Sequence, residues 1–475
     1  MHTFHGSIVI MSKLQAETRW LLVLLALATV LVTRPSIHGN DGVQNYAYLR
    51  SLLFDGDLDF TNEYTHYFAK AAEWFDQKQI PRDATTGRPI NLYGVGSALL
   101  WAPWVVTFHF IGKLATWGGV GHFELDGYSR LYEGAVGYAS SFYAGLGVFL
   151  LYCTLARFFP RRRAFWAVLL VWLGSPLFFY AYFHPSMSHA NSFFLSSLLT
   201  YLYFSRGNSV KRWIAMGLVS GLLILTRFQD GVLLAGLAAG EAYVFFYLLR
   251  RARGSNFWWG WLTRHAKRWF AAAGVTIFVC SLQCLVWWQL HGSPLSGPKG
   301  YLSQGQVHLL YPRHFWAALF SPFHGLFHWH PLLLIGLIGF GMRTSAARLR
   351  LYAILGFLAQ AWVIGSWSIW WAGASFGQRM FISALPHLGV GMAATVTRLR
   401  AKREWLVAAI VCMAVLWNCG LVVQYATRAI PRQAPVTIIT LARNNVIEVP
   451  RLIVKTLRGT KNGVGPQPAG AQPAN

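Results

Sequence analysis

Long apolar runs alternate with short basic connectors along most of this chain. Runs close to the ~20 residues that a helix needs to cross a bilayer recur from about residue 17 to residue 426. Segments of roughly 10 residues with alternating polarity, the mark of a membrane barrel, do not occur. The pattern predicts an all-α polytopic membrane protein. Eleven spans are expected, over residues 17–34, 133–156, 164–183, 189–205, 213–227, 230–249, 269–291, 326–342, 351–371, 378–397 and 405–426.

One apolar run, Ser97 to Thr116, does not fit a simple out-and-back order. Counted as a span, it would put Arg161-Arg162-Arg163 and every later basic cluster on the outer side. Laid along the surface, it leaves all the basic clusters inside, as the charge rule for membrane loops requires. Pro103, His109 and Lys113 also weaken it as a span. An interfacial helix with Trp101 and Trp104 at headgroup level is expected there. The amino terminus is then inside and the carboxyl terminus outside. Residues 1–426 form one transmembrane domain whose first external loop is 35–132, and 427–475 form an external basic tail. That tail has seven Lys/Arg and one acid, an unusual balance for an outer segment, and its end from Val464 is expected to be disordered.

Composition agrees with this class. The 475 residues are 55% hydrophobic and 12% charged, and the mean hydropathy is +0.39. The net charge of +25 lies mainly in short loops, so topology explains it better than nucleic-acid binding does. The five cysteines all fall in apolar runs with no CxxC, which argues against disulfides and zinc. The first apolar run lacks a small-residue cleavage site and reads as an uncleaved anchor. No internal repeat is evident, which argues against an inverted-repeat transporter.

The acids are distributed very unevenly. Eleven of the sixteen carboxylates lie between Asp41 and Glu133, within or bordering the first large polar loop. Asn40 or Asp41 can cap a helix from Val43 to Phe54, on which Gln44 and Tyr48 share one stripe and Tyr46, Leu49 and Arg50 another. Asp41 reads either as that cap alone or as a general base aimed at an acceptor hydroxyl. Asp55, Asp57 and Asp59 start like a calcium loop but do not continue as one. A solvated turn with Asx caps is the alternative to a divalent cation there.

The run Asp41, Tyr46, Arg50 and Gly56-Asp57-Leu58 resembles the first external loop of the GT-C glycosyltransferases. It is most similar to the branch of protein O-mannosyltransferases and lipid A aminoarabinose transferases. In that branch an acid just past the first membrane helix opens a juxtamembrane helix, and a Tyr, an Arg and a Gly-Asp turn follow. The segment from Asn91-Leu92-Tyr93-Gly94 to Val106 resembles the second juxtamembrane helix, and Arg130-Leu131 the pair before the second span. Ser375-Phe376-Gly377-Gln378-Arg379 resembles the Ser-Phe-Gly-x-Arg segment of many bacterial members. One departure is Gly42, where members often carry a second acid, so a role needing that acid, such as metal binding, does not carry over.

The resemblance implies a GT-C bundle in the bacterial plasma membrane. It would move a sugar from a polyprenyl-phosphate donor to a lipid, glycan or protein acceptor on the external face, with inversion and with Asp41 as base. The departing lipid phosphate is an anion and needs cations rather than a proton donor. The external candidates are Arg379, Arg227, Lys299, His184 and His189, with Tyr93 and Arg50 also on the substrate side. Each has a plainer role: snorkelling for Arg379, pairing with Asp230 for Arg227, a structural imidazole for His184 and His189, and an ordinary Pro/Gly connector for the loop of Lys299. A transporter or flippase, or an O-antigen-ligase-like transferase, are the competing functions.

Overall fold

The computed structural model describes residues 15–71, 80–207, 209–250, 257–297, 307–344, 346–399 and 403–461. Among them the regular structure is helical, apart from two isolated bridges, Arg82 with Pro89 and Val307 with Trp367. Seven helices are long and apolar enough to cross a membrane, or eight if the bent pair Arg161–Leu173 and Pro176–Tyr182 is one span. The expected count of eleven is therefore not reached by length. Ala16–Val32, His189–Tyr203 and Val210–Thr226 are apolar but shorter. The 326–342 segment is broken into Leu326–Trp329 and Pro331–Phe340. Pro331 lacks an N–H and cannot continue a helix from His330, so the break is written in the chain.

The bent pair has an equally local cause. Gly174-Ser175-Pro176 interrupts the helix, the axis turns by 66°, and the Ser175 hydroxyl caps the new start by accepting from the Leu177 N–H at 3.2 Å. The amide of buried Asn418 donates to the freed carbonyls of Leu173 and Ser175, at 2.8 and 3.0 Å. These groups would otherwise be orphaned in an apolar core, at a cost of about 1–3 kcal/mol each. Elsewhere the helices close in through small residues. Gly336 and Gly339 bring their helix against Gly391 and Leu388, and Gly217 packs on the Ala272 backbone, leaving no room for a Cβ.

The basic connectors gather at one end of the bundle. Arg163 donates to the Leu399 carbonyl and pairs with Glu404, Arg398 reaches the Arg343 carbonyl, and Arg157 reaches Ser205. The loop after the first helix builds a second, smaller core at the other end around Tyr46, Phe60, Trp101, Tyr132 and Leu290. His291, closing the helix Phe257–His291, bonds Asp83 at 2.9 Å and ties this outer layer down.

Gly96–Trp117 passes the length test for a span, and it packs beside Arg130–Leu155, Gly39–Arg50 and Val210–Thr226. Its Trp101 indole donates to Ser140, the Leu100 carbonyl accepts from Tyr143, and His109 bonds Tyr132. Contacts that run from 143 back to 132 as the helix advances from 100 to 109 carry it away from the basic end. Trp101, expected at headgroup level, is instead fully buried in protein, because its N–H has found a protein acceptor.

The segment read as an external tail is helical over residues 438–461. After Glu404–Ala426 the chain turns at Arg428, with φ +56°, and runs back along that helix. Gln424 donates to the Leu441 carbonyl at 3.1 Å and Asn445 to the Trp417 carbonyl at 3.2 Å. The stretch expected to be disordered, 464–475, lies outside the described residues.

Candidate functional site

The helix that carries Asp41 begins at Gly39, four residues before the expected start at Val43. It spans Gly39–Arg50 with His38 at the cap and no capping side chain. Asp41 therefore lies inside the first turn, where a carboxylate also favours the helix dipole, and its side chain is turned to other partners. The Tyr93 hydroxyl donates to Oδ1 at 2.7 Å, and the Arg379 guanidinium pairs with Oδ2 at 3.0 Å. Asn40, the other expected cap, accepts from the Gln44 amide at 2.6 Å.

Gly42 accounts for the missing second acid. The helix start lies so close to the 182–189 turn that a Cβ at Gly42 would overlap the Ser186 hydroxyl and come within 3.1 Å of its Cβ. The same turn accepts the His38 N–H on Ser186 at 3.5 Å. A longer side chain would push the Asp41 helix off this turn.

Tyr93 is positioned by the Gln44 and Tyr48 stripe of that helix. Gln44 accepts from the Leu92 N–H and its carbonyl accepts from the Asn91 amide, both at 2.8 Å. The Tyr48 hydroxyl donates to the Tyr93 carbonyl at 2.8 Å. On the other stripe, Tyr46 donates to the Gly127 carbonyl at 2.7 Å. Gly94 and Gly96 then lie directly on the Leu225 and Thr226 backbone, where no Cβ fits. Gln44 and Asn91 were missed as supports for the site, although polar amides amid apolar neighbours are the signal that could have shown them.

Arg379 opens the turn Arg379–Ala384 after an irregular stretch held by Gly377, with φ +57°. The buried Gln378 amide donates to the Trp370 carbonyl and the Phe376 N–H donates to the Tyr180 hydroxyl, at 2.8 and 2.9 Å. Arg227 ends Val210–Thr226 in extended conformation. Its Nε lies 3.6 Å from the Asp230 carboxylate, and Nη1 lies 3.4 Å from both His189 and the Ser188 hydroxyl.

Asp230 is fully buried and takes hydrogen bonds from Ser192, Ser383 at 2.9 Å and Gln360 at 3.0 Å. Gln360 also donates to the Met380 carbonyl, next to Arg379. One carboxylate thus fixes the backbone around both arginines. The sequence alone marks Asp230 as a pairing partner for Arg227 and not as a support for Arg379.

Asp41, Tyr93, Arg227 and Arg379 line one cavity of about 310 Å³, completed by Trp367 and Met380 among others. A second cavity of about 390 Å³ shares Tyr93, Arg227, Val307 and Trp367 with it. Its walls are mainly apolar, including Phe228, Val232, Trp287 and Val363. A polar chamber with two guanidinium groups and a carboxylate therefore adjoins an apolar groove.

The other expected residues lie elsewhere. His189 is buried behind Arg227. His184 faces His38 at 3.1 Å and stacks on Phe179. Burial, with His38, Arg432 and Arg379 adding to it, pushes the His184 imidazole down to about 3. Arg50 is not at the cavity. It pairs with Asp55 and with buried Glu63 at 3.0 Å, and stacks on Tyr128. Lys299 lies outside the described residues.

In the acidic turn, Asp57 accepts from Ser51 at 2.7 Å and from the Asp59 N–H, while Asp59 accepts from Thr61. Asp55 accepts from Asn62 and Arg50. The bonds from the Asp59 and Thr61 N–H groups are those of Asx turns. Among the described residues no group of three His, Cys, Asp or Glu is placed to hold a metal.

No family model matches the chain, and no curated protein matches it in sequence. It is similar to the crystal structure of ArnT from Cupriavidus metallidurans bound to undecaprenyl phosphate, with 15% identity and a TM-score of 0.49 over 94% of this chain and 73% of that one. It is also similar to the apo state of the same ArnT, with 15% identity and a TM-score of 0.45 over 96% and 75% of the two chains.

Proposed function

We propose that this chain is a GT-C-type membrane glycosyltransferase. It moves a sugar from a polyprenyl-phosphate donor to an acceptor hydroxyl on the outer face of a bacterial plasma membrane, with inversion. The observation that carries the reading is the joined pair of cavities. A lipid-phosphate sugar needs a cationic seat for its phosphate, an apolar channel for its tail and a base beside the sugar, and the two chambers offer these side by side. The gathering of basic connectors at the opposite end supports an outward-facing site.

In the proposed reaction the phosphate binds between Arg379 and Arg227, with the prenyl chain along the groove past Phe228 and Trp287. A guanidinium pair suits a phosphate through several directed N–H bonds. Arg379 pairs with Asp41 at 3.0 Å. The phosphate competes for that guanidinium, so donor binding frees the carboxylate that the acceptor needs. Asp41 then takes the acceptor O–H proton. The oxygen forms its bond to the anomeric carbon while the carbon–phosphate-oxygen bond breaks, and the electron pair leaves on the phosphate, where the arginines stabilise it. Tyr93 keeps the carboxylate oriented.

The test is to give purified protein a polyprenyl-phosphate sugar with candidate acceptors and to follow the sugar–phosphate bond by mass spectrometry. Cleavage with transfer is expected. Translocation of an intact donor between leaflets would instead make the chain a flippase.

A further inference from the structure

A third cavity, of about 520 Å³, lies at the basic end of the bundle, away from the Asp41 chamber. It opens where the first turns of two helices meet, Val210–Thr226 and Ala347–Gly365. Neither helix has an acid in its first turn, and each puts an arginine there that lines the cavity, Arg212 and Arg348. The helix dipole makes its N-terminus positive, so this is the unfavourable end for a cation. Arg268 and Arg348 both lie close enough to Arg212 to repel it.

Among the described residues that line the cavity, one carboxylate, Glu241, faces Arg212 and Arg348, and it is already engaged. Arg348 donates to it at 2.8 Å and the Tyr203 hydroxyl at 3.0 Å. The Arg348 guanidinium lies on the Tyr203 ring at 4.4 Å, with its Nε lacking a partner. Arg212 donates to the Ser205 carbonyl. The cavity thus combines two helix N-termini with an excess of guanidinium charge. That charge is costly to hold beside partly apolar walls unless an anion shares the space.

We propose that this cavity is a binding site for a phosphate group, separate from the donor site. The apolar walls, Trp213, Tyr243 and Val244 among them, favour the headgroup of an anionic phospholipid over a free ion. An occupant phosphate would bridge Arg212 and Arg348 and relieve their repulsion, locking together the helices that begin at 210 and 347. This inference does not depend on the sugar-transfer reading.

Native mass spectrometry and thermal melting of the full-length protein in detergent would test it, with phosphatidylglycerol, phosphatidylcholine and inorganic phosphate as probes. Phosphatidylglycerol should be retained and raise the melting temperature, and phosphatidylcholine should not. Arg212→Gln should weaken that retention by about tenfold or more, the usual effect of losing one charged hydrogen bond. Glu241→Gln should strengthen it, because it removes the competing carboxylate. Arg398→Gln, an exposed arginine at the same end, should change nothing. Stabilisation by inorganic phosphate alone, abolished by Arg212→Gln, would support the phosphate site with a soluble occupant. Equal retention in the wild type, Arg212→Gln and Glu241→Gln would overturn the proposal. Should Arg212→Gln fail to fold, the sign of the Glu241→Gln effect still decides it.

Discussion

A 3.0 Å ion pair joins Asp41, in the first turn of the helix after the first apolar segment, to Arg379, far along the chain at the start of a late helix. Both side chains are mostly buried, and both line the same cavity as Tyr93 and Arg227. If Asp41 is the base, replacing it by the isosteric amide keeps the volume and removes the proton acceptor. Asp41→Asn should fold, melt close to wild type and lose sugar transfer by about 10²–10⁴-fold, the usual worth of general-base assistance. Its donor affinity should hold or tighten, because Arg379 no longer has a competing anion. Near-normal turnover in this variant would remove Asp41 from the mechanism.

Arg379→Lys keeps the charge and loses the planar fork. The expected result is a rise in donor KM of roughly 10-fold or more, from the loss of one charged hydrogen bond to phosphate. Steady-state kinetics with varied donor would show it. An unchanged KM would place the phosphate elsewhere.

Asp230 touches neither chamber but pairs with Arg227 and accepts from Ser192, Ser383 and Gln360. Asp230→Asn removes the charge that holds Arg227 and leaves most of the hydrogen bonds. Donor KM should rise while the proton-transfer limb of the pH–rate profile stays in place. A shift of that limb would mean that Asp230 itself takes the proton.

Gly42 is a prediction about packing. Gly42→Ala should cost about 1–3 kcal/mol, as overpacking does, because its Cβ meets the Ser186 side chain. Ser186→Gly in the same protein should recover most of that loss. A double-mutant cycle on melting temperature measures the coupling, and additive effects would contradict the clash.

The His184 imidazole has its folded value lowered to about 3 from 6.5, chiefly by burial. The unfolded chain therefore binds the proton first as pH falls. Stability from this group is fully present above about 6.5 and is lost progressively toward about 3. Melting temperature should decline over that window, and His184→Gln should flatten the decline. Identical slopes in the two proteins would show that another group dominates.

The helical membrane class and several of the span positions were legible because they depend on local properties. Apolar length, loop charge and residue type repeat the same message wherever the chain goes. Gly42, Pro176 and Pro331 were legible as letters, and their reasons came from Ser186 and from the helix breaks they cause.

Tertiary structure decided what distance along the chain conceals. Arg50 reads like a substrate contact, but Asp55 and Glu63 are nearer and claim it. Trp101 reads as an interface residue, but Ser140 lies within reach of its N–H. Asp41 reads either as a cap or as a base, and a helix started at Gly39 turns its carboxylate toward Tyr93 and Arg379. The physical reason is the same in each case. Burial and helix length follow from the free energy of each segment against lipid or water, which composition encodes. A charged or polar side chain takes whichever partner the packing brings within about 3 Å, and only the folded bundle determines that.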